Sequence, residues 1–125
     1  MHLKVEIEKR VWKSDRTTFT ETFGTFKWKD RKGRVFEVSQ SIFTFKFAAV
    51  LKFFGRWVLS PDHCRTFSFE VKDEDEVEFL GYVALIPARY WQVWQRVCEM
   101  VTLGWSRRRI LHFLATKAIA LQLRR

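Results

Sequence analysis

The stretch HLKVEIEKRVW at residues 2–12 decides how the fold begins, because apolar and charged side chains alternate along it. Leu3, Val5, Ile7 and Val11 share one face of this segment. A period of two is typical of a β-strand that buries one face. The stretch therefore predicts a first strand in a sheet that is covered on one side.

Two further strands are predicted directly after it. Residues 17–29 repeat the alternation, but the phase of the pattern slips after Gly24, which predicts a β-bulge there. The turn at 30–34 is strongly basic and joins this strand to a short third strand from Val35 to Ser39. The chain is therefore expected to form a hairpin with a cationic tip.

From residue 41 the apolar period becomes that of a helix. Residues 41–58 are expected to be helical, with Ser41 as the N-cap and Lys46 on the polar side. Ser60-Pro61 would end this helix, because the residue before a proline avoids helical backbone angles.

The second half of the chain contains one more alternating stretch and two helical ones. Residues 65–85 predict a second β-hairpin, whose turn at 73–76 is acidic. Pro87 suits the first turn of a helix that Gly104 ends, and Ser106 caps a last helix.

The composition describes one globular domain over residues 1–125 and excludes disorder, since 47% of the residues are hydrophobic and 17% are aromatic. The element order β-β-(β)-α-β-β-α-α predicts an α+β fold, with an antiparallel sheet from two β-hairpins and helices packed on one face. Cys64 and Cys98 lack a C-x-x-C spacing, and no apolar run approaches the ~20 residues of a membrane span. We therefore expect a cytoplasmic protein without a cofactor, a structural metal or a membrane partner.

The net charge of +9 and the pI near 10.0 indicate an anionic partner, and nucleic acid is the first candidate. The charge is uneven, because residues 61–80 carry 2 basic and 7 acidic side chains whereas residues 81–125 carry 8 and 1. Asparagine is absent, a depletion of thermolabile amides that is expected of a hyperthermophile.

The three arginines Arg107, Arg108 and Arg109 follow the predicted cap Ser106. The first turn of a helix carries unpaired N–H groups and partial positive charge, which disfavours cations unless an anion also binds there. A phosphate could gain from the amides and the guanidinium groups together. The alternative is that these arginines pair with the acidic turn at 73–76.

A second candidate site interleaves basic and aromatic side chains around the first hairpin. An exposed indole flanked by lysines could stack on bases while the lysines contact phosphates. Trp57, Trp91 and Trp94 are assigned to the core instead, because so many aromatic residues cannot all be exposed. The candidate contacts are Arg10, Trp12, Phe26, Lys27, Trp28, Lys29, Arg31, Lys32 and Arg34.

Three other functions stay open. Residues 97–110 resemble a helix-turn-helix, whose second helix would read duplex DNA with its first side chains. Asp62, Glu70 and Lys72 resemble the PD-(D/E)xK nuclease motif, in which the two acids hold a divalent metal, although Asp62 and Glu70 lie too close in sequence for two paired strands. A structural nucleoprotein that coats long nucleic acid is the third.

A basic, aromatic-rich, Asn-poor domain of hairpins and packed helices resembles the ThermoDBP group of archaeal single-stranded-DNA-binding proteins. The resemblance implies a cleft with an aromatic floor and a rim of Lys and Arg, a dimer made through the C-terminal part, and an archaeal or archaeal viral origin. The chain lacks a long heptad zipper, but its last helix is apolar around much of its circumference. We therefore expect that helix in a homodimer interface or deep between layers. The leading prediction is a non-catalytic protein that binds single-stranded nucleic acid, DNA first, with little sequence preference.

Overall fold

A computed structural model describes residues 1–56 and 65–123, and its α+β class confirms the predicted one. Trp57, Ser60-Pro61, Asp62 and Cys64 lie outside the described residues. The elements are β1 (His2–Lys13), β2 (Thr18–Lys29), β3 (Val35–Ser41), α1 (Phe45–Phe53), β4 (Arg65–Glu70), α2 (Glu74–Leu85), α3 (Trp91–Thr102) and α4 (Arg107–Ala120).

The four strands form one antiparallel sheet in the order β3-β2-β1-β4. Leu3, Val5 and Ile7 are buried under the helices, as the alternation predicts. Val11 continues the same face but is 61% exposed, against the prediction. The reason is that β3 and the described part of β4 pair only with the inner parts of β2 and β1, so residues 8–22 extend beyond the sheet as a two-stranded arm.

The predicted bulge at Gly24 is absent. Pairing runs without an extra residue through Glu8 with Phe23, Ile7 with Gly24 and Glu6 with Thr25. Gly24 lies instead beneath the ring of Phe47, and a Cβ at this position would stand 2.6 Å from the Phe47 Cδ2 atom. The phase of the pattern slips because Gly24 makes room for this ring on the covered face, while Phe23 lies on the opposite face.

Helix α1 begins later than predicted. β3 continues through Ser41, and the N-cap is Thr44, whose Oγ1 accepts a hydrogen bond of 3.2 Å from the Phe47 backbone N–H. The helix ends at Phe53, and Gly55 follows with a φ of +67° that favours glycine.

Lys46 is buried, although the sequence pattern placed it on the polar side of the helix. Only 2% of the residue is exposed, because α3 and the end of α2 cover it. Its Nζ donates a hydrogen bond of 2.9 Å to the Ile86 carbonyl and stands 5.5 Å from the centroid of the Trp94 ring. Burial lowers the pKa of Lys46 from 10.5 to about 8, because the charged form loses its hydration.

The prediction of a second hairpin is wrong for its second strand. β4 is a strand, but residues 74–85 form α2 rather than a strand that pairs with it. Acidic residues stabilise the N-terminus of a helix, and the Glu76 carboxylate accepts a hydrogen bond of 3.3 Å from the Asp73 N–H. The side chains of Phe79, Leu80 and Val83 are buried, and their spacing is that of a helix. The alternating apolar residues of the same segment concealed this spacing.

The helices form two layers on the sheet, and aromatic rings join them. α3 packs on α1, α4 packs on α2, and α3 and α4 contact each other. The Phe79 ring stacks on Phe53 at 3.8 Å between centroids and meets Trp94 edge-on at 6.2 Å, so the prediction that Trp94 is a core residue is confirmed. Within the described ranges, no helix has the length and apolar character needed to cross a bilayer.

Helix α4 is covered on one side within the monomer. Its buried residues are Ile110, Leu111, Leu114 and Ala118, whereas Ile119 is exposed. The homodimer expected through this helix stays a prediction.

We expect Gly24→Ala to lower the free energy of unfolding by about 1–3 kcal/mol, because the added Cβ overlaps the Phe47 ring in a packed core. Urea unfolding of the parent and the variant measures the difference. The cost should shrink in a chain that carries Phe47→Leu, and an equal cost in both backgrounds would contradict this packing.

We expect Lys46→Met to remove a pH dependence of stability. Below pH 8 the native lysine carries a charge that burial disfavours, and between about pH 8 and 10.5 the native state loses this proton while the unfolded chain keeps it. The stability of the parent relative to the variant should therefore rise through this window, by about 3 kcal/mol at most. Unfolding curves of both proteins at pH 7, 8, 9 and 10 test the sign, and parallel curves would show that Lys46 keeps an ordinary pKa.

Candidate nucleic-acid interface

The acidic N-terminus of α2 (residues 73–78) binds three of the predicted nucleic-acid contacts. The Arg107 guanidinium lies 3.3 Å from an Asp73 oxygen and 3.5 Å from a Glu76 oxygen. Arg108 Nη1 lies 3.0 Å from Asp75 and 2.6 Å from Glu78, which raises the pKa of Arg108. Ser106 caps α4 as predicted, but Arg107 and Arg108 behind it pair with carboxylates, which is the alternative that the sequence left open.

The basic tip at 30–34 approaches the same acidic cluster. Arg31 Nη2 lies 2.5 Å from a Glu74 oxygen, and this bond raises the pKa of Arg31. Arg34 Nε lies 2.7 Å from Asp30 within the tip itself. The two predicted basic segments therefore converge, but on carboxylates that neutralise much of their charge.

The outer face of the sheet, which no described helix covers, carries a network of ion pairs. Lys27 Nζ lies 3.1 Å from Glu6 and 3.9 Å from Glu37, and Lys4 Nζ lies 3.1 Å from Glu6. Hydrogen bonds from Lys4 and then Lys27 lower the pKa of Glu6. Arg10 is bound in the same way to Glu8, at 2.8 Å. This face is therefore close to electrically balanced.

Two of the aromatic residues predicted to stack on bases are inside the protein. Phe26 is fully buried, and Trp28 is 6% exposed and stacked on Phe36 at 5.1 Å between centroids. Both lie on the covered face of β2, because they alternate with the outward Lys27 and Lys29. The prediction that Phe26 and Trp28 contact nucleic acid is corrected on this ground. Trp12 remains exposed, and so do Lys29 and Lys32.

A groove between α3 and α4 combines cations and rings, none of which is a predicted site residue. This α3–α4 groove encloses about 490 Å³. Its described lining contains three cations, three aromatic rings and no carboxylate. The lining is Arg89, Tyr90, Trp91, Gln92, Val93, Arg96, Phe113, Lys117, Ala120 and Leu121.

The cations of the groove lie over aromatic rings. The Arg89 guanidinium stands 5.0 Å from the Tyr90 centroid, and Lys117 Nζ stands 5.6 Å from the Phe113 centroid. Arg96 lies 2.8 Å from Glu99, a residue outside the lining. The groove therefore offers charge and flat apolar surface at the same place.

Trp91 is the most open ring of the groove, and the prediction that it belongs to the core is wrong. It is 51% exposed at the first position of α3, whereas Val93 and Trp94 are buried. Its ring contacts Phe45 at 6.4 Å between centroids. The sequence signal that could have located this surface is the excess of 8 basic over 1 acidic residue in 81–125.

A second hollow continues along α4 and shares Phe113 with the groove. It encloses about 520 Å³ and is lined by Trp105, Arg108, Arg109, His112, Phe113 and Thr116. The Arg109 guanidinium stands 4.0 Å from the Trp105 centroid, a cation–π distance. Of the predicted site residues, Arg108 and Arg109 therefore border this extended basic surface.

The structure bears differently on the helix-turn-helix and on the nuclease motif. α3, the turn at Gly104 and α4 have the element order of a helix-turn-helix, but Arg107 and Arg108 at the start of α4 are bound to α2. For the nuclease motif, Asp62 lies outside the described residues, and Glu70 is exposed at the end of β4. Among the described residues, no cluster of three or more His, Cys, Asp or Glu could hold a metal ion.

Comparison of the chain with protein-family models, with curated proteins and with solved structures gives no match. The resemblance to the ThermoDBP group stays a prediction.

Proposed function

We propose that the protein is a non-catalytic single-stranded nucleic-acid-binding protein with little sequence preference, and that the α3–α4 groove receives the strand. The observation that supports this proposal is the lining of the groove, in which Arg89, Arg96 and Lys117 surround Tyr90, Trp91 and Phe113 without a described carboxylate.

The chemistry of a single strand matches this lining. Lys and Arg neutralise phosphates and release counterions, while aromatic side chains stack on any base, since every base has a π-face. A duplex keeps its base faces covered, so exposed rings such as Trp91 favour an unpaired strand. Contacts of this kind read the backbone and the base faces, which explains why little sequence preference is expected.

The distribution of ion pairs in the protein also favours the groove as an anion-binding surface. The acidic N-terminus of α2 and the carboxylates of the outer sheet face bind other cations. In the groove Arg96 pairs with Glu99, whereas Arg89 and Lys117 form no ion pair within the described part of the chain and remain available to an anion. A duplex reader built on α4 would first have to release Arg107 and Arg108 from α2. The pairing of Arg107 and Arg108 therefore favours the single-strand proposal over the helix-turn-helix alternative.

We expect Trp91→Ala to weaken binding of single-stranded DNA about 5-fold to 150-fold without changing the salt dependence, because it removes a stacking surface and no charge. Fluorescence anisotropy of a labelled oligonucleotide at several salt concentrations measures both quantities. Trp12→Ala is the control, since it removes an exposed indole that does not line the groove, and its affinity should match that of the parent. Equal affinities of Trp91→Ala and the parent would refute the stacking role.

We expect Lys117→Gln to flatten the slope of log affinity against log salt by about 0.7, the contribution of one phosphate on a single strand. Lys29→Gln removes the same charge from the outer sheet face and should leave the slope unchanged. An equal change in both variants would mean that net charge alone drives binding. Single-stranded DNA, single-stranded RNA and a duplex of equal length serve as competitors, and preference for the duplex would favour the alternative function.

A further inference from the structure

The arm at residues 8–22 has two faces with different chemistry, because cross-strand partners share a face of an antiparallel pair. On one face Glu8 pairs with Phe23, Arg10 with Glu21, and Trp12 with Phe19. Arg10 is bound there to Glu8 and stands 4.4 Å from the Phe23 centroid. The charges of this face are largely balanced within the arm.

The other face carries positive charge without compensation. Its three cross-strand pairs are Lys9 with Thr22, Val11 with Thr20, and Lys13 with Thr18. It has no carboxylate, and within the described part of the chain neither lysine forms an ion pair. We call it the lysine–threonine face.

This face looks toward the same side of the sheet as the helices. Lys9, Val11 and Lys13 continue the alternation of Leu3, Val5 and Ile7, which the helices cover. A ligand held by the helices and a ligand on the lysine–threonine face therefore lie on one side of the sheet.

Described contacts join the base of the arm to the α3–α4 groove. The Ile42 N–H donates a hydrogen bond of 3.1 Å to the Thr22 carbonyl, at the point where the arm leaves the sheet. Phe43 and Phe45 follow and are exposed, and the Phe45 ring contacts Trp91 of the groove. Exposed aromatic surface thus continues from the groove to the start of the arm.

We propose that the lysine–threonine face binds the sugar–phosphate backbone of the strand whose other part lies in the α3–α4 groove. The inference rests on the proposed function and extends it to a second contact surface. Lysine ammonium groups and threonine hydroxyls are common donors to phosphate oxygens, whereas Val11 can pack on a sugar. Lys9 and Lys13 are four residues apart, about 14 Å along a strand, so each neutralises a different phosphate.

The test compares a short and a long strand. A single strand of about 6 nucleotides fills the groove only, and one of about 20 nucleotides also reaches the arm. The double variant Lys9→Gln with Lys13→Gln should bind the short strand like the parent. With the long strand its salt slope should flatten by about 1.4, two phosphates' worth, and its affinity at low salt should fall about 10-fold or more.

The matched control is Lys29→Gln with Lys32→Gln, which removes the same charge from exposed positions that belong neither to the arm nor to the lining of the α3–α4 groove. Thr20→Val keeps the shape of the face and removes one hydroxyl, so a loss of affinity of a few-fold for the long strand alone is expected. Circular dichroism of each variant reports whether the fold is retained, which the exposure of these side chains favours.

The outcomes separate the two proposals. If the parent binds no single strand, the proposed function and the role of the arm both fail. If Trp91→Ala weakens binding but the Lys9 and Lys13 variant matches the parent on the long strand, only the role of the arm is overturned. An equal loss in the Lys29 and Lys32 control also overturns it, because net charge would then explain the effect.

Discussion

The ion pairs at the N-terminus of α2 determine which basic side chains of the molecule remain available to a ligand. They stabilise a helix whose first turn is acidic, and they join the tip of the β2–β3 hairpin and the start of α4 to the same point through Arg31, Arg107 and Arg108. Each pair is exposed and contributes little alone, but together they fix which cations are occupied. A basic protein is thereby divided into a balanced part and a part with excess positive charge.

Part of the excess lies on two surfaces that the described contacts connect. The α3–α4 groove has cations over rings, and the lysine–threonine face of the arm has cations beside hydroxyls. The first suits bases and phosphates together, whereas the second suits backbone alone. Phe43 and Phe45 lie between them, and Phe45 contacts Trp91 of the groove. The proposed function therefore depends on tertiary packing that brings α1, α3 and the arm together.

Local patterns in the sequence predicted β1, the hairpin and the cap at Ser106, because alternation and capping act over a few residues. Residues 74–85 predict a strand because Val77, Phe79, Gly81 and Val83 alternate. Phe79, Leu80 and Val83 of the same segment have helical spacing, and the acidic run before them favours the helix. The environments of Gly24, Lys46 and Trp91 depend on which ring or helix packs opposite them, and local patterns do not contain this information. The basic segments were visible, but their carboxylate partners come from distant parts of the chain.

The one-sided charge of the C-terminal half has a consequence before any contact forms. A molecule with its uncompensated positive charge on one side experiences a torque near a polyanion, so under the proposed function it approaches a strand with the α3–α4 groove and the lysine–threonine face in front. Under the proposed function this orientation increases the share of encounters that are productive and raises the association rate. The effect extends over a Debye length, about 8 Å in physiological salt, and its range shrinks as the ionic strength rises.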